Sequence, residues 1–219
     1  MVRTVFVLGV LSFFSSNCSA WIQPTGILQR NKAPFARLPL VTAATVSSTD
    51  QQDILQVLDL AEQFGPVGVR QPEESQQRIL DAALALKSVG SAPARVELNG
   101  IHNLVYSSAP GGSSGKLGFI DGQVTQTFLD EKTFINAVQV GPIRIALTAE
   151  REVKNDTTIK VTFHKTTVSV FGKQLVEKET GGGGVWKYIY AGVVTDKKGA
   201  KKLVRVMETP SLFVLEQPL

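Results

Sequence analysis

Acidic residues are missing from the first 49 positions of this 219-residue chain, and Asp50 is its first carboxylate. Arg3, Arg30, Lys32 and Arg37 all precede Asp50 and account for the net charge of +4, so residues 50–219 are formally neutral. That balance argues against nucleic-acid binding, because the basic charge belongs to an N-terminal segment and not to a folded surface. Cysteine is nearly absent too. Cys18 is the only one, and it lies in a segment expected to be removed, which leaves no disulfide, thiol nucleophile or thiolate metal site. The two histidines, His102 and His164, stand without a close-spaced carboxylate cluster; both read as satisfied structural residues, and no metal is expected. No apolar run reaches the roughly 18 residues of a membrane span, no nucleophile sits in an elbow motif and no acid pair stands out. The chain reads as a non-enzyme without a cofactor.

What is present begins with Met1-Val2-Arg3 and the run "VFVLGVLSFF" from Val5 to Phe14. As a helix that run rises only about 15 Å, half a bilayer, so residues 1–20 read as a signal peptide. Small side chains at Cys18 and Ala20 suit signal peptidase, which would leave Trp21 at the new N-terminus. Residues 21–49 are acid-free, basic and rich in Ser and Thr, the composition of a transit peptide. Signal peptide, aromatic and transit peptide in that order resemble the bipartite plastid leader of algae with secondary plastids. Plastid import is the resulting expectation, with plain secretion as the alternative. The acceptor "NDT" at Asn155 to Thr157 falls in an expected hairpin turn and is expected to stay unmodified on the plastid route.

Residues 50–92 read as a helical segment. In "DILQVLDLAEQF" the residues Ile54, Leu55, Val57, Leu58, Ala61 and Phe64 fall at three- and four-residue spacings, and Gly65-Pro66 ends the pattern. Pro72-Glu73-Glu74 opens a second helix, with Ile79, Leu80, Ala83, Leu84 and Leu86 as its stripe. After Pro93 the period drops to two. Nine or ten short strands succeed one another, with Ile143, Ile145, Leu147 and Ala149 facing opposite to Arg144, Thr148 and Glu150. No helix-length segment separates them, so a parallel α/β sheet is excluded. A sandwich and a closed barrel remain; local hairpins favour an up-and-down antiparallel β-barrel over residues 93–219, a mainly β (α+β) chain with two N-terminal helices.

"ELNGIHNLVYSSAPGGSSGKLG" is similar to the opening strand of the plastid lipid-associated protein (fibrillin) family, through Leu98, Asn99, Gly100, Leu104, Tyr106 and Ser107. "GQVTQTF", "INAVQV" and "IKVTFHK" resemble later strands of that family. "LVRVMETPSLFVLEQ" resembles its closing strand pair, with Arg205 and Phe213 in register. The resemblance spans roughly residues 54–216. It implies a lipocalin-like barrel at thylakoid or plastoglobule surfaces, binding carotenoids, quinones or membrane lipids. It also implies an aromatic closing the barrel floor beneath a basic residue of a late strand. His102 stands in the aromatic's place, Arg205 is the basic residue, and Trp186 is the ring expected to substitute.

Within that frame the candidate ligand-binding residues are Tyr106, Phe128, Phe163, Trp186, Tyr188, Tyr190 and Arg205. In "WKYIY", Trp186, Tyr188 and Tyr190 share one face by simple alternation. They either pack the sheet against the helices or line the interior for a lipid or isoprenoid with a polar head. Lys197, Lys198, Lys201 and Lys202, in the hairpin tip "DKKGAKK", are the candidate membrane contacts. "GGSSGKL" has Pro110 and Leu117 where a phosphate loop needs Gly and a hydroxyl, so it reads as a hairpin loop. "GGGG" at Gly181 to Gly184 opens no helix and reads as a flexible rim loop. A different class stays open beside lipid binding: a structural or interaction module whose barrel is filled by its own side chains.

Overall fold

The structure, a computed structural model, describes residues 47–117 and 119–219. The signal peptide and almost all of the transit segment read from the sequence lie outside these residues. The described chain starts with a helix cap. Ser47 Oγ accepts from the Asp50 N–H at 3.1 Å and starts α1, Ser48–Phe64, satisfying a donor that a helix start otherwise leaves unpaired. Gly65, at φ 71°, ends it. Pro72 precedes α2, Glu73–Ala85, with Glu73 and Glu74 in its first turn, where acids complement the helix dipole. Both helices form where the sequence pattern placed them, and Leu60 joins the buried stripe of α1.

Eleven strands follow among the described residues: β1 Gly100–Ser107, β2 Lys116–Leu117, β3 Ile120–Asp121, β4 Gln123–Phe128, β5 Thr133–Val140, β6 Ile143–Val153, β7 Thr158–Val170, β8 Lys173–Glu179, β9 Gly183–Thr195, β10 Lys201–Thr209 and β11 Ser211–Pro218. β2 and β3 form a small separate hairpin. Eight of the others close on themselves in the order β1-β4-β5-β6-β7-β9-β10-β11, every pair antiparallel, with β11 returning to β1. β8 adds to β7 outside the ring. The expected barrel is therefore found. Closure leaves the eight ring strands without an unpaired edge along the shared segments.

Two cores result. The interior holds Phe128, Phe134, Ala149, Ile159, Val161, Tyr188, Leu203, Met207 and Leu215. The second core lies outside the wall, where Ile54, Val57, Leu58, Ala61, Ile79 and Ala83 of the helices cover Val204, Val206, Leu212 and Val214. Each fully buried Ile, Leu or Val there contributes about 1.5–3 kcal/mol, so the helices are integral to the fold. The strand alternation decides which core a residue joins: Leu203, Arg205 and Met207 point in, Val204 and Val206 out.

One end of the barrel is floored. Ala94 and Leu98 enter the interior core from the segment before β1, the Ala94 N–H donates to the Asp156 carbonyl at 2.8 Å, and Arg95 Nε bonds Asp156 Oδ1 at 2.6 Å. The "GGGG" stretch is only half a loop. Gly183 and Gly184 already belong to β9, and a Cβ at Gly183 would collide with the Val161 carbonyl oxygen. Glycine is needed there for close strand approach, not for flexibility.

Candidate functional site

Arg205 sits in the middle of β10, wholly buried inside the barrel. Its Nη1 donates to Gln126 Oε1 at 2.6 Å and its Nη2 to the Tyr188 hydroxyl at 2.7 Å, with Met207 Sδ 3.6 Å away. Gln126 is itself fixed by its Nε2, which donates to Asn136 Oδ1 at 2.8 Å. The guanidinium carbon lies 4.9 Å from the Phe128 ring centroid and 5.4 Å from that of Tyr188. Among the described residues no carboxylate pairs with Arg205, and its Nε–H has no hydrogen-bond partner. Burial depresses its pKa, but a guanidinium stays charged in proteins. A cation is thus held by two aromatic faces and two neutral oxygens.

Its surroundings sharpen that chemistry. His102, opposite Gln126 in the β1–β4 register, is fully buried; among the described residues no side chain hydrogen-bonds either ring nitrogen, and the Asn99 backbone is the hydrogen-bonding group that acts on the ring. His102 is thus under-satisfied, whereas the exposed His164 has its Nε2 3.5 Å from Glu150 Oε2. Burial first, and Arg205 second, hold the His102 pKa down at about 3, so the ring is neutral. Its edge meets Phe128 at 5.3 Å between centroids, Phe128 stacks on Phe134 at 5.4 Å, and Phe134 touches Trp186 at 5.8 Å. Arg151 approaches Phe128 from another side at 5.5 Å, its Nε donating to the Glu131 carbonyl at 2.8 Å. The ring beneath Arg205 is Phe128, flanked by Tyr188, and not Trp186. Sequence spacing could not reveal this, because only the β1–β4 register brings Phe128 to the level of Gly100, one inward step from His102.

Of the seven candidate ligand residues, five belong inside. Phe128, Tyr188 and Arg205 are buried there, and Phe163 and Trp186 pack against the same interior core while partly exposed. Tyr106 and Tyr190 do not: both are buried outside the wall, beneath the helices. The reason is the same for each. A β-bulge adds Val105 between Leu104 and Tyr106, and another adds Ile189 between Tyr188 and Tyr190, and each extra residue reverses the alternation. The shared face of Trp186, Tyr188 and Tyr190 is corrected accordingly, to Trp186 and Tyr188 alone. Among the described residues neither outward tyrosine hydroxyl has a partner. Burial raises both pKa values, that of Tyr190 to about 12 with help from Asp50. Tyr106 also borders a cleft of about 250 Å³ between α2 and the β10–β11 turn, together with Glu73, Gln77 and Glu208.

The four candidate lysines sit at the floored end, in the β9–β10 turn, and two of them are engaged. Lys197 Nζ bonds Asp59 of α1 at 2.6 Å. Lys202 is largely buried and pairs with Glu216 at 2.9 Å and Glu62 at 3.8 Å. Lys198 and Lys201 are exposed. This turn ties the helical layer to the barrel.

The described chain is a mainly β protein built on a closed eight-stranded antiparallel barrel with two helices laid on its wall. No family model, curated protein or solved structure matches it. Among the described residues no group of His, Cys, Asp and Glu could hold a metal ion, and no helix is long and apolar enough to cross a membrane.

Proposed function

We propose that this is a lipocalin-like protein of the plastid lipid-associated (fibrillin) type, non-enzymatic, which holds a hydrophobic molecule at a thylakoid or plastoglobule surface. The observation that carries the reading is Arg205. A buried cation without a carboxylate costs several kcal/mol of desolvation, a cost hard to reconcile with a barrel built only to be filled. A carbonyl or other acceptor oxygen on an apolar molecule would take the Arg205 Nε–H, while Phe128, Phe134 and Trp186 supply apolar contact. That chemistry favours a quinone or a membrane lipid over an unoxygenated carotene.

The interior side chains also pack against one another, which supports the second reading, a side-chain-filled barrel acting through its surface. One experiment separates the two. Protein purified from its own cells is extracted with organic solvent, and the extract is analysed by mass spectrometry. Lipid or quinone near one equivalent, reduced in an Arg205→Met variant of unchanged circular dichroism, is the expected result. A clean extract, together with no saturable uptake of a fluorescent polyene lipid, would establish the filled barrel.

A further inference from the structure

The end of the barrel opposite the floor carries two large aromatic side chains that the fold does not use. Phe171 is 86% exposed and Phe119 is 91% exposed. Three turns lie at that end. The Gly141–Pro142 turn joins β5 to β6, and the Phe171–Gly172 turn joins β7 to β8, with the Phe171 N–H donating to the Pro142 carbonyl at 2.9 Å. The β2–β3 hairpin that carries Phe119 leads into Gly122, which lies directly against Val138 and Val140 beside the same turn. Ile120, also exposed, adds to the apolar surface.

Phe171 is also in the wrong conformation for its type. It sits at φ 49° ahead of Gly172 at φ 76°, in a two-residue hairpin whose turn needs positive φ at both positions and favours Asn first. A bulky side chain in the left-handed region is strained, and strain kept without a packing reason points to function. Around the tips Lys116, Arg144 and Lys173 supply positive charge, whereas Asp121 is held by Arg70 at 2.5 Å. The two exposed aromatic side chains stand in separate turns, with these cations close by in the flanking strands. They suit insertion between the headgroups of a lipid surface that carries negative charge.

From this arrangement we infer that the Phe119–Phe171 rim is the lipid-surface contact of the protein. The barrel then meets lipid with the end opposite its floor, and the lysine turn faces away. The inference deepens the lipid-surface part of the reading above and is independent of what the barrel encloses.

The full chain, expressed in its own cells and purified as those cells process it, is co-sedimented with vesicles of phosphatidylcholine containing phosphatidylglycerol. Wild type should bind. Phe119→Ser/Phe171→Ser should lower partitioning by about tenfold or more, and Phe171→Asn, which suits the turn, should lower it while remaining folded. Lys198→Gln/Lys201→Gln, at the other end, should bind as wild type does. If wild type ignores the vesicles, the rim and the lipid-surface reading fall together. If wild type binds but the double Phe variant partitions equally well, the rim alone falls. A wild-type oligomer that the double Phe variant dissolves, without vesicle binding, would make the rim a protein interface and overturn the inference.

Discussion

His102 ties the stability of the barrel to pH. In the unfolded chain it takes up a proton near pH 6.5; in the fold it does so only near 3, since burial and Arg205 both oppose the charge. Between those values the unfolded state binds more protons, so stability rises with pH across the window and is lost as pH falls below about 6.5. The slope approaches about 1.4 kcal/mol per pH unit. His102→Leu should flatten that slope between pH 6.5 and 5, where carboxylates remain ionised, and thermal melts at several pH values would measure it. An unchanged slope in the variant would mean that the buried ring is not the titrating group. Phe171 makes the opposite kind of case, a residue whose replacement should help the fold. Asn tolerates the left-handed conformation that Phe171 is forced into, so Phe171→Asn should stabilise by about 1 kcal/mol. A rise in the urea midpoint at constant slope is the expected readout, and a fall would show that the ring packs somewhere after all.

At the scale of elements, α1 illustrates how a boundary changes meaning once its cap is seen. Composition changes at residues 49 and 50, where the acid-free segment ends, yet the helix begins at Ser48 and its N-cap is Ser47. Ser47→Ala should cost about 1 kcal/mol and lower the melting temperature. A variant that melts with wild type would show the first turn frayed and the cap idle. The helices were legible because Ile54, Val57, Leu58 and Ala61, like Ile79 and Ala83, keep the period of 3.6 from end to end. The hairpins were legible for a similar reason, since β6 alternates without interruption from Ile143 to Ala149 and the turns are marked by Gly and Asp. Tyr106 and Tyr190 were not legible. Their orientation depends on Val105 and Ile189 being extra residues, and a bulge is fixed by cross-strand pairing that period-two reading does not contain. The cation site lies between these cases. Arg205 stands out in an apolar strand, but Phe128 becomes its ring only through the register of β4 against β1, and that same pairing sets His102 opposite Gln126.

For the whole molecule the deciding contact is the last one the chain makes. β11 pairs with β10 along its length and with β1 on its other side, so the ring closes only when the C-terminal strand meets the first. Its side chains are divided between both cores: Leu212 and Val214 lie under the helices, whereas Leu215 is inside with Phe213 against it. Deleting residues 211–219 would expose the edges of β1 and β10 at once and withdraw four apolar side chains. At about 1.5–3 kcal/mol each, that loss is roughly 6–12 kcal/mol, comparable with the entire stability of an ordinary domain. The truncated chain should therefore show no cooperative thermal transition, lose its near-ultraviolet circular dichroism and bind a hydrophobic dye. The lost contacts reach both the interior and the outer helices, so neither core should survive alone. A truncated chain that still melted sharply would mean that the helices and the remaining strands form a stable open sheet, and that closure contributes less than the burial on its two faces implies.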